Sequence, residues 1–435
     1  MTARHASASI GRRAVLEGLA ASLALAQAGC TRRKRPEVRD GRLVVTFWYA
    51  YGDLVRKVLL DLVARYNASQ SRVLVEAVHQ GDYYECLAKL RTALAAGAAP
   101  TLSHVVCEVL PYLAQAGVLA PLQDMEGLPR AFVPALAQDG AFEGAAGGAP
   151  RPVYGIPFNR STPIAFCNGA IFDEAHLAPP RTWDELLATA HALTRRSAGG
   201  EARWGYEVPI SWWYWVAMLG QAGGRLVEPD GRIVLGGEAG EKAVRFWQRL
   251  VAEQVMRPPP GRDYQAWQST NESFLQGRIA MMWSSTAFVR YLETNARFPV
   301  VAAPLPRDVR ASVPTGGTMF VLLASAPPEE TRAGWDFVRW MCEDEQTIAW
   351  STRTGYMPVT TTAVEALEQR GWYRSHPNDR VAYDQLPAVD PWPWLPQLFR
   401  VERDLVEPRL EEAVLTRADV HTLLDAARAD AARPA

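Results

Sequence analysis

The segment Gly155-Ile-Pro-Phe-Asn-Arg-Ser-Thr-Pro163 joins the pattern of a buried strand to side chains that present neutral hydrogen-bonding groups. Two other segments have the same character, residues 272–285 and Thr352-Arg-Thr-Gly-Tyr-Met-Pro358. None of the three contains the nucleophile, the base or the metal-ligand cluster that a catalysed reaction requires. Together they predict a protein that holds a polar ligand without changing it.

Strand and helix patterns alternate in the first part of the chain. Residues 43–48 and 73–78 are runs typical of strands. The first run is followed by apolar residues at three- and four-residue spacing over 55–66, and the second by a helix pattern over 84–96. This alternation predicts a mostly parallel sheet flanked by helices. Ligands bind such sheets beyond the carboxyl ends of the strands.

Two stretches are predicted to cross between separate halves of the molecule, residues 153–158 and residues 299–304. Two crossings predict a two-lobed α/β fold in which each lobe is built from separated parts of the chain. The expected boundaries are 41–157 and 303–350 for lobe 1, and 158–302 and 351–435 for lobe 2. Such a molecule can close like a hinged clamp over a ligand.

Residues 1–30 are predicted to be an export signal, with Arg12 and Arg13 as its basic start and a short apolar stretch before Cys30. The apolar stretch is shorter than the ~20 residues of a transmembrane helix. Cys30 is a predicted lipidation site, and residues 31–40 are a predicted basic tether. Ordinary cleavage and retention as an uncleaved anchor are the alternatives, and the export route stays open between Sec and twin-arginine. The expected location is the periplasm or the outer face of the cytoplasmic membrane.

Composition narrows the class of partner. The 435 residues carry a formal net charge of −1, with 48% hydrophobic and 21% charged residues, so neither nucleic acid nor an anionic membrane surface is implied. Beyond Cys30 the cysteines form no C-x-x-C pair and no histidine stands at metal spacing, so we expect no metal and no cofactor. Spacing leaves open whether any of them form disulfides. They are Cys86, Cys107, Cys167 and Cys342.

Four signatures, taken in order, carry a resemblance to a known family. They are Gly81-Asp-Tyr83, Pro157-Phe-Asn-Arg-Ser-Thr-Pro163, Phe274-Leu-Gln-Gly277 with Ala280-Met281, and Thr354-Gly-Tyr-Met-Pro358. As a set they resemble the extracellular solute-binding proteins of bacterial ABC importers, and within them the members that bind glycerol-3-phosphate. The resemblance covers nearly all of the mature chain. It implies the type II periplasmic-binding-protein fold and delivery of a small solute to ABC permease subunits, and we expect a monomer.

The resemblance also implies a set of ligand contacts, with Ser285 and Gly316 as alternatives to two of its members. A carboxylate accepts hydrogen bonds from two vicinal hydroxyls, and a serine hydroxyl both donates and accepts. A glycine lets a backbone N–H approach an oxyanion closely, and a tyrosine offers an apolar face with a polar tip. The implied contacts are Tyr83, Glu108, Ser161, Ser284, Gly317 and Tyr356.

One expected contact is missing. The family has a phosphate-gripping arginine shortly after a segment like Asp-Gln-Leu-Pro, which occurs here at 384–387, but the corresponding position is Leu395. This argues against a phosphate ligand unless Arg160 or Arg400 takes that role. Clustered tryptophans suit stacking on a sugar ring, so Trp394 joins the predicted contacts. The ligand stays open between a carbohydrate and a glycerol-phosphate compound.

Two other functions compete with solute delivery. A secreted carbohydrate-active enzyme would require paired carboxylates, and the candidates Asp82, Glu85 and Glu108 lie in no recognisable catalytic motif. A solute sensor on the same fold is the second alternative, and the sequence does not separate it from a transport protein. We therefore expect a binding protein and no enzyme.

Overall fold

The computed structural model describes residues 36–129, 131–140, 152–196 and 203–433. The predicted export signal, Cys30 and residues 31–35 of the predicted tether lie outside the described residues. Within the described ranges there are ten strands. They are β1 (Val38–Arg39), β2 (Arg42–Tyr49), β3 (Val73–His79), β4 (Leu102–Val106), β5 (Ile156–Ser161), β6 (Pro163–Asn168), β7 (Trp204–Glu207), β8 (Ile279–Ser285), β9 (Val300–Ala303) and β10 (Gly316–Leu322).

Helices connect and cover these strands. In chain order they are α1 (Asp53–Ser69), α2 (Tyr83–Ala95), α3 (Leu110–Gln115), α4 (Pro134–Ala137), α5 (Gly169–Ala175), α6 (Trp183–Leu193), α7 (Trp212–Gln221), α8 (Glu238–Ala252), α9 (Asp263–Leu275), α10 (Val289–Asn295), α11 (Pro328–Met341), α12 (Asp344–Thr354), α13 (Thr361–Gln369), α14 (Trp372–Ser375), α15 (Pro377–Asp384), α16 (Leu398–Arg400), α17 (Glu407–Thr416) and α18 (Val420–Ala431). Among the described residues, no helix has both the length and the apolar character needed to cross a membrane.

The strands form two mixed sheets. One has six strands in the order β1-β2-β4-β10-β5 with β3 also paired to β2, and the other has four in the order β7-β8-β6-β9. The α/β prediction is confirmed, but the prediction of mostly parallel sheets is wrong. Strands β2, β3 and β4 are parallel, whereas β10 is antiparallel to both β4 and β5. A helix connects β2 to β3 and another connects β3 to β4, as parallel neighbours require. In contrast, β5 leads directly into the four-stranded sheet, and β10 follows a segment that leaves that sheet.

The chain passes between the sheets twice. Thr162 alone separates β5 in the six-stranded sheet from β6 in the four-stranded sheet. The second passage is the segment 304–315 between β9 and β10. The strand predicted at 153–158 therefore begins at Ile156, and the segment predicted to cross at 299–304 contains β9. The lobe boundaries proposed from the sequence stay a prediction.

Two helices, α11 and α12, follow β10, and their Trp335 and Trp350 share the core beside the six-stranded sheet. Thr182 caps α6 by accepting from the Glu185 backbone N–H at 3.1 Å. The Glu185 carboxylate accepts from the Arg181 N–H at 2.6 Å, one residue before the position that a capping box requires.

Tryptophan fills both cores. Trp215 and Trp283 are buried with the helices that cover the four-stranded sheet, and the C-terminal residues Val401 and Leu410 belong to the same cluster. Trp350 is buried in the core of the six-stranded sheet. Burying a large apolar side chain stabilises a fold by about 1.5–3 kcal/mol. The tryptophans at these positions therefore have a structural role.

Candidate ligand-binding site

The two predicted tyrosines meet. The hydroxyls of Tyr83, at the start of α2, and Tyr356, just after α12, are 3.0 Å apart. Asn159 on β5 donates from Nδ2 to the Tyr83 hydroxyl at 3.0 Å. The buried Tyr356 ring stacks on Trp350 with ring centroids 5.7 Å apart. Burial raises the pKa of the Tyr356 phenol, so it stays protonated and can donate.

Asn159 extends this network into the neighbouring strand. Its Oδ1 accepts from the backbone N–H of Thr318 at 3.0 Å and also accepts from the Thr318 hydroxyl. The Tyr51 and Thr318 hydroxyls are 3.1 Å apart. Asn159 and Thr318 are buried, and buried polar groups that bond one another in a chain hold one geometry. Sequence reasoning missed Asn159, although it stands inside one of the quoted signatures.

The two predicted glycine positions are places where backbones approach closely. Gly316 pairs with Ser161 across the two strands, and a Cβ on Gly316 would lie 2.6 Å from the Trp213 ring and 3.0 Å from Ser161 Oγ. Gly317 has φ +88°, and a Cβ there would lie 1.8 Å from the Asn159 carbonyl oxygen. Both positions therefore require glycine. Of the tryptophans that open α7, Trp213 contacts this region.

Ser284 lies on the other side of the first passage between the sheets. It pairs with Ile164 on β6, two residues beyond Thr162. Its hydroxyl lies 3.5 Å from Asn271 Oδ1 on α9. The alternative, Ser285, caps the next turn by accepting from the Ala287 N–H at 3.2 Å. Ser284 is the better candidate for a ligand because the Ser285 hydroxyl already has a structural task.

Glu108 is buried and incompletely paired. It lies in the 3-10 turn Cys107–Val109 that follows β4, it is 4% exposed, and its Oε2 has no hydrogen-bond partner. Burial raises the pKa of Glu108 to about 7, against the opposing effect of Arg160. A carboxylate with a free oxygen can accept from ligand hydroxyls, so Glu108 stays a predicted contact.

Both candidate substitutes for the missing arginine already have partners within the protein, although Nε and Nη1 of Arg160 have none. Arg160 is buried and forms a 2.5 Å ion pair with Asp139, and it also donates to the Thr315 hydroxyl at 2.7 Å. Arg400 donates to the backbone oxygen of Asp430 on α18 at 3.3 Å. An arginine already held by a buried carboxylate is poorly placed to bind a phosphate.

Trp394 packs on Tyr154, with ring centroids 6.4 Å apart. Its neighbour Trp392 has the more central position because it packs against clusters of both sheets. The indole N–H groups of Trp392 and Trp213 both donate to the Thr315 carbonyl oxygen, at 3.1 Å and 3.0 Å. A tryptophan beside both cores is better placed than Trp394 to stack on a ligand between them.

Aromatic residues of α9 complete the region. Tyr264 contacts Tyr83 edge-on at 5.9 Å between centroids and Tyr84 at 6.0 Å. Trp267 stacks on Tyr214 at 5.0 Å. No motif identified Tyr264 or Trp267. Their helical spacing of three was a visible signal, because it places both rings on one face of α9.

Gln385 links both passages between the sheets. Its Nε2 donates to the Thr162 hydroxyl at 2.8 Å and to the Pro163 carbonyl oxygen at 2.7 Å. Its Oε1 accepts from the Leu305 N–H at 3.4 Å, in the second passage. A buried amide that bonds both connecting segments fixes how the two sheets are joined.

The predicted contacts are covered in this conformation. Glu108, Ser161, Ser284 and Tyr356 are all buried, so a ligand reaches them only when the surrounding elements move apart. An open depression of about 570 Å³ lies elsewhere, between α7 and the start of α8, and no predicted contact lines it. Among the described residues, no group of three His, Cys, Asp or Glu side chains could hold a metal ion, and all four described cysteines are buried free thiols.

Comparisons with known proteins agree with one another. The family model for bacterial extracellular solute-binding proteins matches residues 61–378. The chain is 23% identical over 409 residues to the sn-glycerol-3-phosphate-binding periplasmic protein UgpB of Yersinia pestis bv. Antiqua, covering 88% of this chain and 90% of that protein.

Solved structures share the fold. UgpB from Mycobacterium tuberculosis, in complex with glycerophosphocholine, superposes with a TM-score of 0.78 at 24% identity, covering 89% of this chain and 97% of that one. The GacH receptor of Streptomyces glaucescens, solved unliganded and with acarbose, gives a TM-score of 0.78 at 18% identity over the same shares. The fold is therefore the two-lobed one of periplasmic binding proteins.

Proposed function

The chain belongs to the bacterial extracellular solute-binding proteins, and from that premise we propose that it captures a carbohydrate or a glycerol-phosphate-type solute and delivers it to an ABC import permease. Relatives of this chain are named for glycerol-3-phosphate binding, and chains with the same fold were solved with glycerophosphocholine and with acarbose. The family consists of binding proteins, which favours capture and release over catalysis. The protein acts outside the cytoplasm.

One observation carries the proposal. The two sheets are joined at Thr162, and polar side chains stand on both sides of that joint. Asn159 and Ser161 precede it on β5, and Ser284 stands opposite Ile164 just beyond it. Separation of the sheets exposes these groups, and closure surrounds a ligand with them. Capture then consists of hydrogen bonding and ring stacking followed by closure of the two lobes.

We propose seven ligand contacts: the six residues that the family resemblance implies, and one tryptophan, either Trp392 or Trp394. Asn159 supports them because it holds the Tyr83 hydroxyl and the Thr318 backbone in place. Trp392 is a better placed stacking residue than Trp394, because it contacts both clusters. The family-derived contacts are Tyr83, Glu108, Ser161, Ser284, Gly317 and Tyr356.

A ligand that carries no phosphate monoester should bind better than one that does. Arg160 is paired with Asp139, and Arg400 donates to the Asp430 carbonyl. A phosphate without an arginine loses charge-assisted hydrogen bonds of ~1.5–3 kcal/mol each. Glycerol-3-phosphate should therefore bind more weakly than a neutral sugar or a glycerophosphodiester.

A thermal-shift screen tests the function. Purified mature protein is heated with maltotriose, glycerol-3-phosphate and glycerophosphocholine, each in excess. A ligand at 100 times its Kd adds ~2.7 kcal/mol to the free energy of unfolding and raises the Tm. The solute should be recovered unchanged after incubation. Release of a hydrolysis product would support the enzyme instead, and the absence of any shift would contradict the proposed ligand classes.

The anchor is a separate part of the proposal. We propose that the protein is exported and held at the membrane by a lipid on Cys30, which lies outside the described residues. Cys30→Ser should leave the mature protein in the soluble fraction, while wild type is found with membranes. Cys342→Ser, which changes a buried thiol, is the matched control and should stay with membranes. Membrane recovery of Cys30→Ser would contradict lipid anchoring.

A further inference from the structure

A second buried glutamate, Glu402, follows the short helix α16, which contacts the Cys107–Val109 turn that holds Glu108, and neither the sequence motifs nor the family resemblance pointed to it. Glu402 belongs to a π-helical turn, Val401–Val406, between α16 and α17. Its side chain is 0% exposed, and neither of its carboxylate oxygens has a hydrogen-bond partner. Such turns occur frequently at functional sites. A carboxylate buried without a partner costs several kcal/mol if it stays ionised, so this residue requires an explanation.

The two carboxylates come from different halves of the molecule. Val401 and Val406, on either side of Glu402, are buried in the cluster that covers the four-stranded sheet. Cys107 and Val109, on either side of Glu108, are buried in a cluster of the six-stranded sheet. Burial and the nearby Glu108 carboxylate raise the pKa of Glu402. Closure of the two halves therefore brings two like charges together.

Each of the two neighbouring arginines has a carboxylate partner other than Glu108 and Glu402. Arg160 is matched by Asp139 in its own ion pair. Arg403 is bonded at 2.8 Å to Glu407. Two adjacent buried carboxylates cannot both ionise unless a positive charge is supplied.

Aromatic rings lie at the same place. Tyr84 lies next to Tyr264 and Phe399, with centroids 6.0 Å and 5.9 Å away, and the Arg403 guanidinium lies over the Tyr84 ring, 4.4 Å from its centroid. The Tyr84 hydroxyl is close enough to Glu108 for that carboxylate to contribute to its raised pKa, after burial and the nearby Glu407. Carboxylates beside aromatic faces form the environment that binds ammonium groups. A metal ion does not fit, because no three suitable side chains converge among the described residues.

We propose that Glu402 contacts the ligand, and that Glu402 and Glu108 form a subsite for an organic ammonium group carried by the solute. The inference rests on the proposed solute-binding function and names the ligand chemistry of that site. The ammonium group supplies the positive charge that lets the two halves close with both carboxylates ionised. An anionic group at the same place increases the repulsion and opposes closure. Glu402 thus selects for the charge of the ligand.

Isosteric probes test the subsite on the wild-type protein. Choline and 3,3-dimethylbutan-1-ol have the same shape and differ in one positive charge. Titration calorimetry on the mature chain should give choline at least about tenfold tighter binding than the neutral alcohol, since one charge-assisted contact corresponds to that ratio. Glucosamine, compared with glucose, distinguishes a primary from a quaternary ammonium. Preference for the ammonium member of either pair supports the proposal, and equal binding within both pairs overturns it.

A variant assigns the effect to Glu402. Glu402→Gln keeps the shape of the side chain and removes the charge, so affinity for the preferred ammonium probe should fall at least about tenfold. The loss of affinity for maltotriose, which carries no ammonium group, should be smaller than the loss for the ammonium probe. Asp404→Asn, at an exposed residue of the same turn, is the matched control and should change neither. The Tm without ligand checks that each variant is folded.

The outcomes separate this inference from the proposed function. If maltotriose or glycerol-3-phosphate binds tightly and no ammonium probe does, solute binding stands and the ammonium subsite is wrong. If Glu402→Gln weakens all ligands equally, Glu402 has a structural role and the inference is also wrong. If no sugar, glycerophosphate or ammonium probe binds, both the inference and the proposed ligand classes fail.

Discussion

The hydroxyls of Tyr83 and Tyr356 lie 3.0 Å apart although 273 positions separate the two residues in the chain. Asn159 donates to the Tyr83 hydroxyl from a third part of the chain. The partner of each phenol therefore lies far away in the chain, where no local sequence pattern indicates it. The pair is the most direct link between the predicted contacts.

We expect Tyr83→Phe to weaken ligand binding through lost positioning. The change removes the hydroxyl that Asn159 and Tyr356 both contact, and it leaves buried polar groups unpaired at a cost of ~1–3 kcal/mol. In a double-mutant cycle with Tyr356→Phe, the two effects should be non-additive by about 0.5–1.5 kcal/mol. Titration calorimetry with the best ligand of the screen provides the measurement.

Tyr112→Phe is the control for this pair, because Tyr112 is 39% exposed on α3. Its affinity and stability should match those of wild type. Strictly additive effects of Tyr83→Phe and Tyr356→Phe would contradict the coupling between the two hydroxyls.

Gly317→Ala should be strongly destabilising. A comparison with Gly231→Ala separates the effect of backbone strain from the effect of the close contact. Gly317 and Gly231 have nearly the same φ, +88° and +87°. A Cβ at Gly317 would lie 1.8 Å from the Asn159 carbonyl oxygen, whereas at Gly231 no atom lies within 4 Å. Gly231→Ala should thus cost only the backbone strain of ~1–3 kcal/mol, and Gly317→Ala should cost more than about 4 kcal/mol. Urea denaturation of both variants makes the comparison, and equal losses would show that the close contact relaxes.

Gln385→Ala should loosen the connection between the sheets. The buried amide bonds Thr162, Pro163 and Leu305, so its loss leaves those groups unsatisfied at ~1–3 kcal/mol. We also expect a larger radius of gyration by small-angle X-ray scattering without ligand, because both passages lose a shared partner. Gln123→Ala, at an exposed residue, is the control. An unchanged scattering profile would contradict a role in holding the closed arrangement.

The sequence predicted well those helices and strands that are marked by a residue pattern within their own length. The strand expected at 43–48 is Arg42–Tyr49, and the helix expected at 84–96 is Tyr83–Ala95. The antiparallel placement of β10 was not predictable, because it depends on where the chain returns from the other sheet. Hydrophobic periodicity contains no information on that direction.

The candidate site was likewise predictable only in part. Motifs identified Tyr83 and Tyr356, and the structure shows that their hydroxyls meet. Glu402 was hidden, because a glutamate in a charged helical tail has the pattern of a solvated residue. Its burial arises from the packing of the C-terminal turn beside Glu108, a contact between distant parts of the chain. Long-range packing of this kind has no signature in one sequence.

The buried carboxylates predict a specific dependence of stability on pH. The usual pKa of a glutamate is 4.5, and burial raises the pKa of Glu108 to about 7 in the folded protein. Between these values the folded state binds more protons than the unfolded state. The contribution of Glu108 to the free energy of unfolding is therefore greatest below pH 4.5 and is lost as pH rises through 7. Arg160 and Cys107, which face Glu108, are present in every variant compared.

Glu402 acts in the same direction, because burial and the neighbouring Glu108 and Glu407 raise its pKa well above the usual value. Glu402→Gln removes that group from the titration, so the variant should lose less stability than wild type between pH 5 and pH 8. Each unit of pKa shift corresponds to ~1.4 kcal/mol. This value sets the scale of the difference in the free energy of unfolding that we expect between the variant and wild type at high pH. Urea denaturation without ligand at several pH values measures it, with Asp404→Asn as the exposed control that should follow wild type. Parallel curves for Glu402→Gln and wild type would mean that Glu402 titrates as it does in the unfolded chain, which its complete burial does not allow.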